Sequence, residues 1–205
     1  MKNEFKFVKL SQVDPLGQVF HAKNIYNFLF SLNFEYPQFN KWYWSLFDDS
    51  GVVKSNRELL ICLDDGIVAG VSILKKDDVE CKICTLRVSK QYQNLGVGSK
   101  LLEKSFEILE NEKPLITIHI SKFHEFEKIF NRYNFKLEQE ISGCYGFFRS
   151  ELSYNGVLET NLLKEEDLFN KISLKLEKLM YCYPDEKKIY IPKKRILNAK
   201  EMLFV

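Results

Sequence analysis

Residues 85–102 read TLRVSKQYQNLGVGSKLL, and the order of residue types in this stretch decides the fold. An apolar run ends at Val88, Gly96 and Gly98 enclose a single valine, and apolar residues recur at helical spacing from Leu101 onward. This succession predicts a strand, a glycine loop and a helix start. Because glycine has no Cβ, a ligand can approach the loop backbone closely, and the free N–H groups of the first helical turn attract phosphate.

Two common phosphate-binding loops do not fit this stretch. A Walker loop has two glycines five positions apart followed by Lys and then Ser or Thr, whereas these glycines are two apart and Lys100 follows Ser99. A dinucleotide-binding loop has a third glycine three positions after Gly98, where Leu101 stands. The type of loop therefore has to be judged from the segments on either side.

Three apolar runs lie close together before the loop, at residues 58–63, 67–75 and 79–88. Asp65 and Gly66 stand between the first two, and Asp-Gly between apolar runs is a strong hairpin signal. We therefore expect an antiparallel meander whose third strand leads into the glycine loop.

The N-terminal segments predict one strand and two helices. Apolar and charged residues alternate at 5–10 as in a half-buried strand, and apolar residues recur at helical spacing over 19–32. A second, aromatic-rich helix carries Trp42, Trp44 and Phe47. Two interpretations of these aromatic residues stay open, because large rings fill cores and also form the walls of small-ligand pockets.

After the glycine loop the pattern alternates between helices and strands. A helix over 99–109 is followed by a buried strand at 115–120 and an amphipathic helix over 123–133. Two short strands at 135–140 and 144–149 complete the series. The predicted order is strand, two helices, three antiparallel strands, glycine loop, helix, strand, helix and two strands.

This order, over residues 4–150, resembles the fold of the GNAT superfamily of N-acetyltransferases. The acetyl-CoA pyrophosphate loop of that family, Gln/Arg-x-x-Gly-x-Gly/Ala, is matched by QNLGVG at 93–98, and IFNRYNF at 129–135 resembles its late Leu-Tyr-x-x-x-Gly-Phe signature. The resemblance implies an α/β fold with a mixed, mostly antiparallel central sheet flanked by helices. We accordingly divide the chain into an acetyltransferase domain, 1–150, and a C-terminal extension with a helix and a short strand, 151–205.

The resemblance also implies acetyl-CoA as co-substrate. In the family, the strand before the loop diverges from the next parallel strand, and its end binds the pantetheine arm in the V-shaped slot. Backbone donors of the loop hold the pyrophosphate, helped by the helix dipole. The residues implied in acetyl-CoA binding are Leu86, Arg87, Val88, Gln93, Asn94, Leu95, Gly96, Val97, Gly98, Ser99, Lys100 and Phe130.

The implied reaction is direct attack of a primary amine on the thioester in a ternary complex. It requires a base for the amine, polarisation of the carbonyl and an acid for the leaving thiolate. The tyrosine that commonly protonates the thiolate aligns with Phe130, which has no exchangeable proton. The remaining candidates are Tyr133 and Tyr145 as acids, with His119, His124 and Glu80 as bases.

Composition narrows the functional class. The 205 residues are 45% apolar and 28% charged, which is typical of a globular protein with one core, and a net charge of +2 gives no broad field for nucleic acid or membrane. The N-terminus lacks the apolar core of a signal peptide, so we expect a cytoplasmic protein without a membrane partner. Cys81 and Cys84 form a CxxC within a predicted strand, where their side chains face opposite ways, so we expect no metal site.

Two functions and two interpretations of the tail stay open. We expect an N-acetyltransferase whose acceptor is a small amine, a peptide or protein, or an aminoacyl-tRNA. The alternative is a non-catalytic CoA-binding sensor or interaction module. The extension either packs on the domain, covering the acceptor groove or forming a homodimer contact, or binds nucleic acid through its basic residues. These are Lys187, Lys188 and the basic cluster Lys193, Lys194 and Arg195.

Overall fold

The structure is a computed structural model that describes residues 4–36, 38–142 and 150–157. Within these residues the chain forms seven β-strands and five α-helices. The strands are β1 (Lys6–Lys9), β2 (Arg57–Asp64), β3 (Ile67–Lys76), β4 (Cys81–Val88), β5 (Leu115–His119), β6 (Leu137–Ser142) and β7 (Ser150–Tyr154). The helices are α1 (Pro15–Leu29), α2 (Leu32–Glu35), α3 (Phe39–Trp44), α4 (Val97–Leu109) and α5 (Phe123–Arg132).

All seven strands belong to one sheet, in the order β1-β2-β3-β4-β5-β7-β6. Neighbouring strands are antiparallel except β4 and β5, which run parallel. A parallel pair requires a crossover connection, and the segment that contains α4 supplies it. The prediction of an α/β fold with a mixed, mostly antiparallel sheet flanked by helices is confirmed.

Strands β2, β3 and β4 form the antiparallel meander expected from the sequence. Gly66 turns the first hairpin at φ 80°, a conformation that glycine adopts without steric cost. Leu59 pairs with Ile73, and Ile61 pairs with Val71, so the apolar side chains of both strands share one face. The N-terminal helices pack on this face.

Helices α1 and α3 cover that face. Pro15 is the first residue of α1, a position that suits its fixed φ, and the Asp14 side chain accepts a hydrogen bond from the Gly17 N–H at 3.0 Å. Tyr43 of α3 is fully buried, and its hydroxyl donates to the carbonyl of Ala22 at 2.8 Å. That bond satisfies the polar end of a buried ring and joins the two helices.

Helix α4 lies against the opposite face of the sheet, close to the backbone of β3. A Cβ on Gly70 would lie 2.9 Å from Leu101 Cδ1 and 3.0 Å from the carbonyl oxygen of Arg87, so only glycine fits. The hydroxyls of Ser72 and Ser105 hydrogen-bond across the buried interface at 2.9 Å. The close approach fixes the start of α4 beside the end of β4.

The C-terminal strands differ from the sequence prediction. Strand β6 begins at Leu137, two residues later than predicted, and the predicted strand at 144–149 lies outside the described residues. Strand β7 was not predicted, and it pairs with both β5 and β6. The sheet therefore continues beyond residue 150, where the prediction placed the domain boundary.

Part of the sequence interpretation falls on residues that the structure does not describe. Tyr145, the extension from residue 158 onward and its basic cluster at 193–195 are among them. Within the described residues, no helix is long and apolar enough to cross a membrane. The same residues contain no group of His, Cys, Asp and Glu that is placed to hold a metal ion.

Candidate active site

The two parallel strands of the sheet separate and leave a V-shaped slot. Strands β4 and β5 pair only at Lys82 with Leu115 and at Ile83 with Ile116. Strand β4 nevertheless continues to Val88, so its edge over residues 84–88 has no strand partner on the β5 side within the described chain. An extended ligand can hydrogen-bond to such an edge as another strand would. We call this space the slot and its closed end, at residue 83, the apex.

A β-bulge at the apex explains why the strands separate there. Ile73 of β3 pairs with Thr85 and Leu74 pairs with Ile83, so Cys84 is one extra residue in β4. A bulge bends its strand and increases the local twist. Strand β4 therefore turns away from β5 immediately after their last shared pair.

The glycine loop lies at the open end of the slot. Gly96 is the N-cap of α4 at φ 84°, a left-handed conformation that favours glycine. The first-turn N–H groups that follow it have no acceptor within the helix, and they carry the positive end of the helix dipole. At Gly98 a Cβ would meet only Val88 Cγ2 at 3.6 Å, an ordinary contact. The protein itself therefore has no steric need for glycine at 98.

A cavity of about 1360 Å³ extends from the glycine loop along the slot and past the apex to α1, α3 and β7. This volume exceeds the usual range for a single small-molecule site, roughly 300–1,000 Å³. It therefore offers room for a co-substrate and a second substrate together.

Most of the residues predicted to bind acetyl-CoA line this cavity. They are Leu86, Arg87, Val88, Gln93, Asn94, Gly96, Gly98 and Ser99. Leu95 is instead exposed, Val97 packs in the core, and Lys100 forms an ion pair with Glu103 at 3.4 Å. The side chains of Leu95 and Val97 therefore do not line the cavity.

Phe130 lies in the core and does not line the cavity. It is 2% exposed, and the centroid of its ring is 4.4 Å from that of Tyr154 and 5.2 Å from that of Phe135. Helix α5 turns Phe126 and Ile129 toward the cavity in its place. The missing hydroxyl at position 130 therefore reflects an apolar environment.

Tyr133 is also absent from the cavity lining, and its hydroxyl is already engaged. It donates to Glu103 Oε1 at 2.8 Å, and burial is the main cause that raises the pKa of Tyr133. The same hydrogen bond is the main cause that lowers the pKa of Glu103. The structure places this predicted acid beside α4, and not at the apex.

Both predicted histidine bases line the cavity, in different surroundings. His119 ends β5, and its Nδ1 accepts a hydrogen bond from the N–H of Ser121 at 3.2 Å. The side chain of His124 is 90% exposed, and its Nδ1 lies 3.8 Å from Glu127 Oε2. His124 therefore belongs to the rim, while His119 stands directly opposite Glu151 in the sheet.

Glu151 is a buried carboxyl that the sequence interpretation missed. It lies on β7, is 2% exposed, and accepts a hydrogen bond from the Tyr36 hydroxyl at 3.3 Å. Burial raises the pKa of Glu151 to about 7, while the Tyr36 bond and Lys82 act in the opposite direction. A carboxyl that titrates near neutral pH is suited to general-base catalysis. No sequence signal marked it, because the strand that carries it was not predicted.

Tyr36 is the partner of Glu151 and the only tyrosine among the described residues that line the cavity. It follows α2, and its hydroxyl carries a proton that can be transferred. Tyr36 and Glu151 thus place an acid and a base in hydrogen-bond contact. The two come from opposite ends of the domain sequence, so no local motif links them.

Some of the N-terminal aromatic residues form a wall of the cavity, and others pack in the core. Trp42 lines the cavity, with Phe28 and Phe39 beside it in the same wall. Tyr43 and Phe47 are buried in the core. The cavity therefore has an apolar wall on the side of α1 and α3.

Comparison with known proteins agrees with this architecture. The model of the acetyltransferase (GNAT) family matches residues 22–127 of the 205. No curated protein sequence matches the chain significantly.

Solved structures share the fold at low sequence identity. A GNAT-family protein from Desulfovibrio desulfuricans is 16% identical, with a TM-score of 0.56 over 74% of this chain and 97% of that chain. The GNAT-family acetyltransferase from Streptococcus pneumoniae is 15% identical, with a TM-score of 0.50 over 74% and 98%. A GNAT-family acetyltransferase from Elizabethkingia anophelis with acetyl-CoA bound is 16% identical, with a TM-score of 0.41 over 49% and 75%. Because the family model spans more than half of the chain, this protein belongs to the GNAT acetyltransferase family, whose co-substrate is acetyl-CoA.

Proposed function

We propose that this protein transfers the acetyl group of acetyl-CoA to a primary amine by direct attack in a ternary complex. The observation that carries the proposal is the slot, which joins the glycine loop to a cavity containing the Tyr36–Glu151 pair. The acceptor is a small amine, a peptide or protein, or an aminoacyl-tRNA.

The geometry of the slot supports one position for acetyl-CoA. Its pyrophosphate binds the first-turn N–H groups of α4, and its pantetheine arm lies along the free edge of β4. Four residue steps separate Val88 from Cys84, which corresponds to roughly 13 Å of strand at about 3.3 Å per residue. The thioester then lies near the apex, within the same cavity as the acid and the base.

The proton steps use Glu151 and Tyr36. A neutral amine attacks the thioester carbonyl, a C–N bond forms, and the Glu151 carboxylate takes the proton that the amine loses. The C–S bond breaks, and the Tyr36 hydroxyl protonates the leaving thiolate. Since the two side chains are hydrogen-bonded, the proton on Glu151 returns to the Tyr36 oxygen and restores both groups. The net result is the transfer of one proton from amine to thiol.

Calorimetry with acetyl-CoA, combined with a thiol-release assay over a panel of amines, tests the proposal. We expect saturable binding at one site and amine-dependent release of CoA. Binding without turnover on any amine would favour the non-catalytic CoA-binding alternative. A folded protein that does not bind acetyl-CoA would contradict both functions.

A further inference from the structure

Arg57 is a half-buried cation that the proposed mechanism does not use. It is the first residue of β2, and it alternates with Leu59 and Ile61, so it lies on the sheet face that α1 and α3 cover. Its Nη1 is fully buried and has no hydrogen-bond partner in the described part of the chain. Buried polar groups without a partner are rare and costly in folded proteins, and buried charges are costlier still.

Arg57 belongs to a row of three cations across neighbouring strands. It pairs with Lys75 of β3, which pairs with Lys82 of β4, and all three line the cavity. Lys75 Nζ lies 2.9 Å from Glu80 and 3.1 Å from Asp77.

Lys82 Nζ lies 3.9 Å from the same Glu80. The two lysines therefore share carboxylates of the protein. Among the described residues, Arg57 has no such carboxylate.

The row lies on the acceptor side of the apex. Lys82 is one of the two β4 residues that still pair with β5, whereas the glycine loop follows the opposite end of that strand. Acetyl-CoA that is anchored at the loop approaches the apex from that opposite end. A group that reaches Arg57 therefore comes from the second substrate.

We propose that Arg57 binds a carboxylate of the acceptor, so that the substrate class is an amine that also carries a carboxylate at some distance from the reacting nitrogen. This proposal rests on the proposed acetyltransfer function. The planar guanidinium matches a carboxylate through two parallel hydrogen bonds. A single negative charge balances Arg57, because the neighbouring lysines are already paired.

The distance between Arg57 and Glu151 sets the length of the acceptor. Strands β2 and β7 are four strand spacings apart in the sheet, which corresponds to roughly 19 Å across the strands at about 4.8 Å per spacing. Arg57 is in register with Leu115 through Lys75 and Lys82, whereas Glu151 is opposite His119 further along β5, so the separation of the two backbones exceeds this value. Both side chains lie on the same face, since Tyr36 reaches Glu151 from the α2 side. Several bonds must therefore separate the amine from the carboxylate. This spacing favours an ω-amino acid, or the lysine side chain of an amino acid or short peptide, over the α-amine of a free amino acid, which is only two bonds from its carboxylate carbon.

The test compares acceptors that differ only in the carboxylate. The probes are 6-aminohexanoate, its neutral amide and hexylamine, together with a lysine peptide that ends in a carboxylate or an amide. We expect kcat/KM for 6-aminohexanoate to exceed that for hexylamine at least tenfold, and Arg57→Gln to remove the preference. Arg57→Lys, which keeps the charge, should retain part of it. Lys76→Gln is the matched control, because the Lys76 side chain is 48% exposed and pairs with Glu110.

Binding measurements separate the role of Arg57 from the acetyltransfer function on which it rests. Calorimetry of 6-aminohexanoate in the presence of CoA reports carboxylate binding without turnover, and we expect Arg57→Gln to weaken it at least tenfold while acetyl-CoA binding is unchanged. Equal kcat/KM values for the charged and neutral acceptors would overturn the role of Arg57 and leave the acetyltransfer function intact. So would an Arg57→Gln variant that keeps the acceptor preference and the 6-aminohexanoate affinity of the native protein. If only the peptide shows the preference, the carboxylate belongs to a peptide acceptor and the role of Arg57 stands.

Discussion

At the scale of single residues, the role proposed for Glu151 as the base predicts how the reaction depends on pH. Its carboxyl must be ionised to accept a proton, and burial raises its pKa to about 7. We therefore expect kcat/KM to rise with pH through a midpoint near 7. For the same amine, Glu151→Gln should remove the midpoint near 7, leaving only the rise that comes from deprotonation of the amine itself, and lower the rate by about 100-fold or more, the usual contribution of a general base. A pH–rate profile that is identical in the two proteins would show that Glu151 is not the base.

The same carboxyl links stability to pH. Its folded-state pKa of about 7 lies above the ordinary value of 4.5, so the folded protein favours the neutral form. The stabilisation is complete below about 4.5 and is lost as pH rises to about 7. Its full size is on the order of 3 kcal/mol, at 1.36 kcal/mol per pKa unit. Urea unfolding at pH values below and above this range should show the drop in the free energy of unfolding in the native protein. The surface control Glu110→Gln should show the same drop, whereas Glu151→Gln should not.

Position 130 shows how the environment of a residue decides what a substitution does. The sequence suggests that Phe130→Tyr would restore the missing acid and raise turnover. Because Phe130 is buried among Phe126, Phe135 and Tyr154, we expect the added hydroxyl to lower the free energy of unfolding by about 1–3 kcal/mol. We also expect turnover not to rise. Denaturant unfolding and the thiol-release assay measure the two effects, and an increase in turnover would contradict the structural placement.

At the scale of elements, the junction between β4 and α4 is the feature that we propose binds the co-substrate. Gly98 has room for a Cβ in the protein, and the family pattern accepts alanine at this position. We expect Gly98→Ala to bind acetyl-CoA nearly as well as the native protein. Gly98→Val should weaken binding at least tenfold without loss of stability, because the larger side chain occupies the path of the pyrophosphate. Calorimetry with acetyl-CoA and thermal unfolding of the two variants check this. If Gly98→Val bound acetyl-CoA as tightly as the native protein, a phosphate contact at Gly98 would be excluded.

Elements with local signals were predictable from the sequence. The Asp-Gly turn and the apolar runs around it identified the β2–β3 hairpin, and the glycine pattern identified the start of α4. Strand β7 had no comparable signal, because its register depends on β5 and β6, which lie elsewhere in the chain. Periodicity also placed the first helix at 19–32, whereas α1 begins at Pro15, since proline and the Asp14 cap determine the start.

The site was predictable only where backbone chemistry defines it. The loop residues are proposed to bind through N–H groups, which a short glycine pattern specifies, and eight of the twelve residues predicted to bind acetyl-CoA line the cavity. The acid and base depend on side-chain direction after folding. Tyr36, Glu151 and Arg57 come from a short inter-helix segment, the last described strand and a strand end. Tertiary packing alone brings them to one cavity, so spacing in the sequence does not reveal them.

At the scale of the whole domain, acetyl-CoA would join two halves of a weakly connected sheet. Strands β1–β4 and β5–β7 share only two residue pairs, at Lys82–Leu115 and Ile83–Ile116. A ligand in the slot adds hydrogen bonds to the free edge of β4 and contacts both strands of the V.

Binding should therefore slow amide hydrogen exchange at the slot on both sides of this junction. We expect protection to rise over residues 84–88 and in β5, and to stay unchanged in β1 and at the β2–β3 turn, which lie away from the slot. At a ligand concentration of 100 times Kd, linkage adds about 2.7 kcal/mol to the free energy of unfolding. Exchange measured by mass spectrometry with and without CoA tests this. Protection confined to the glycine loop would show that the pantetheine arm does not lie along β4.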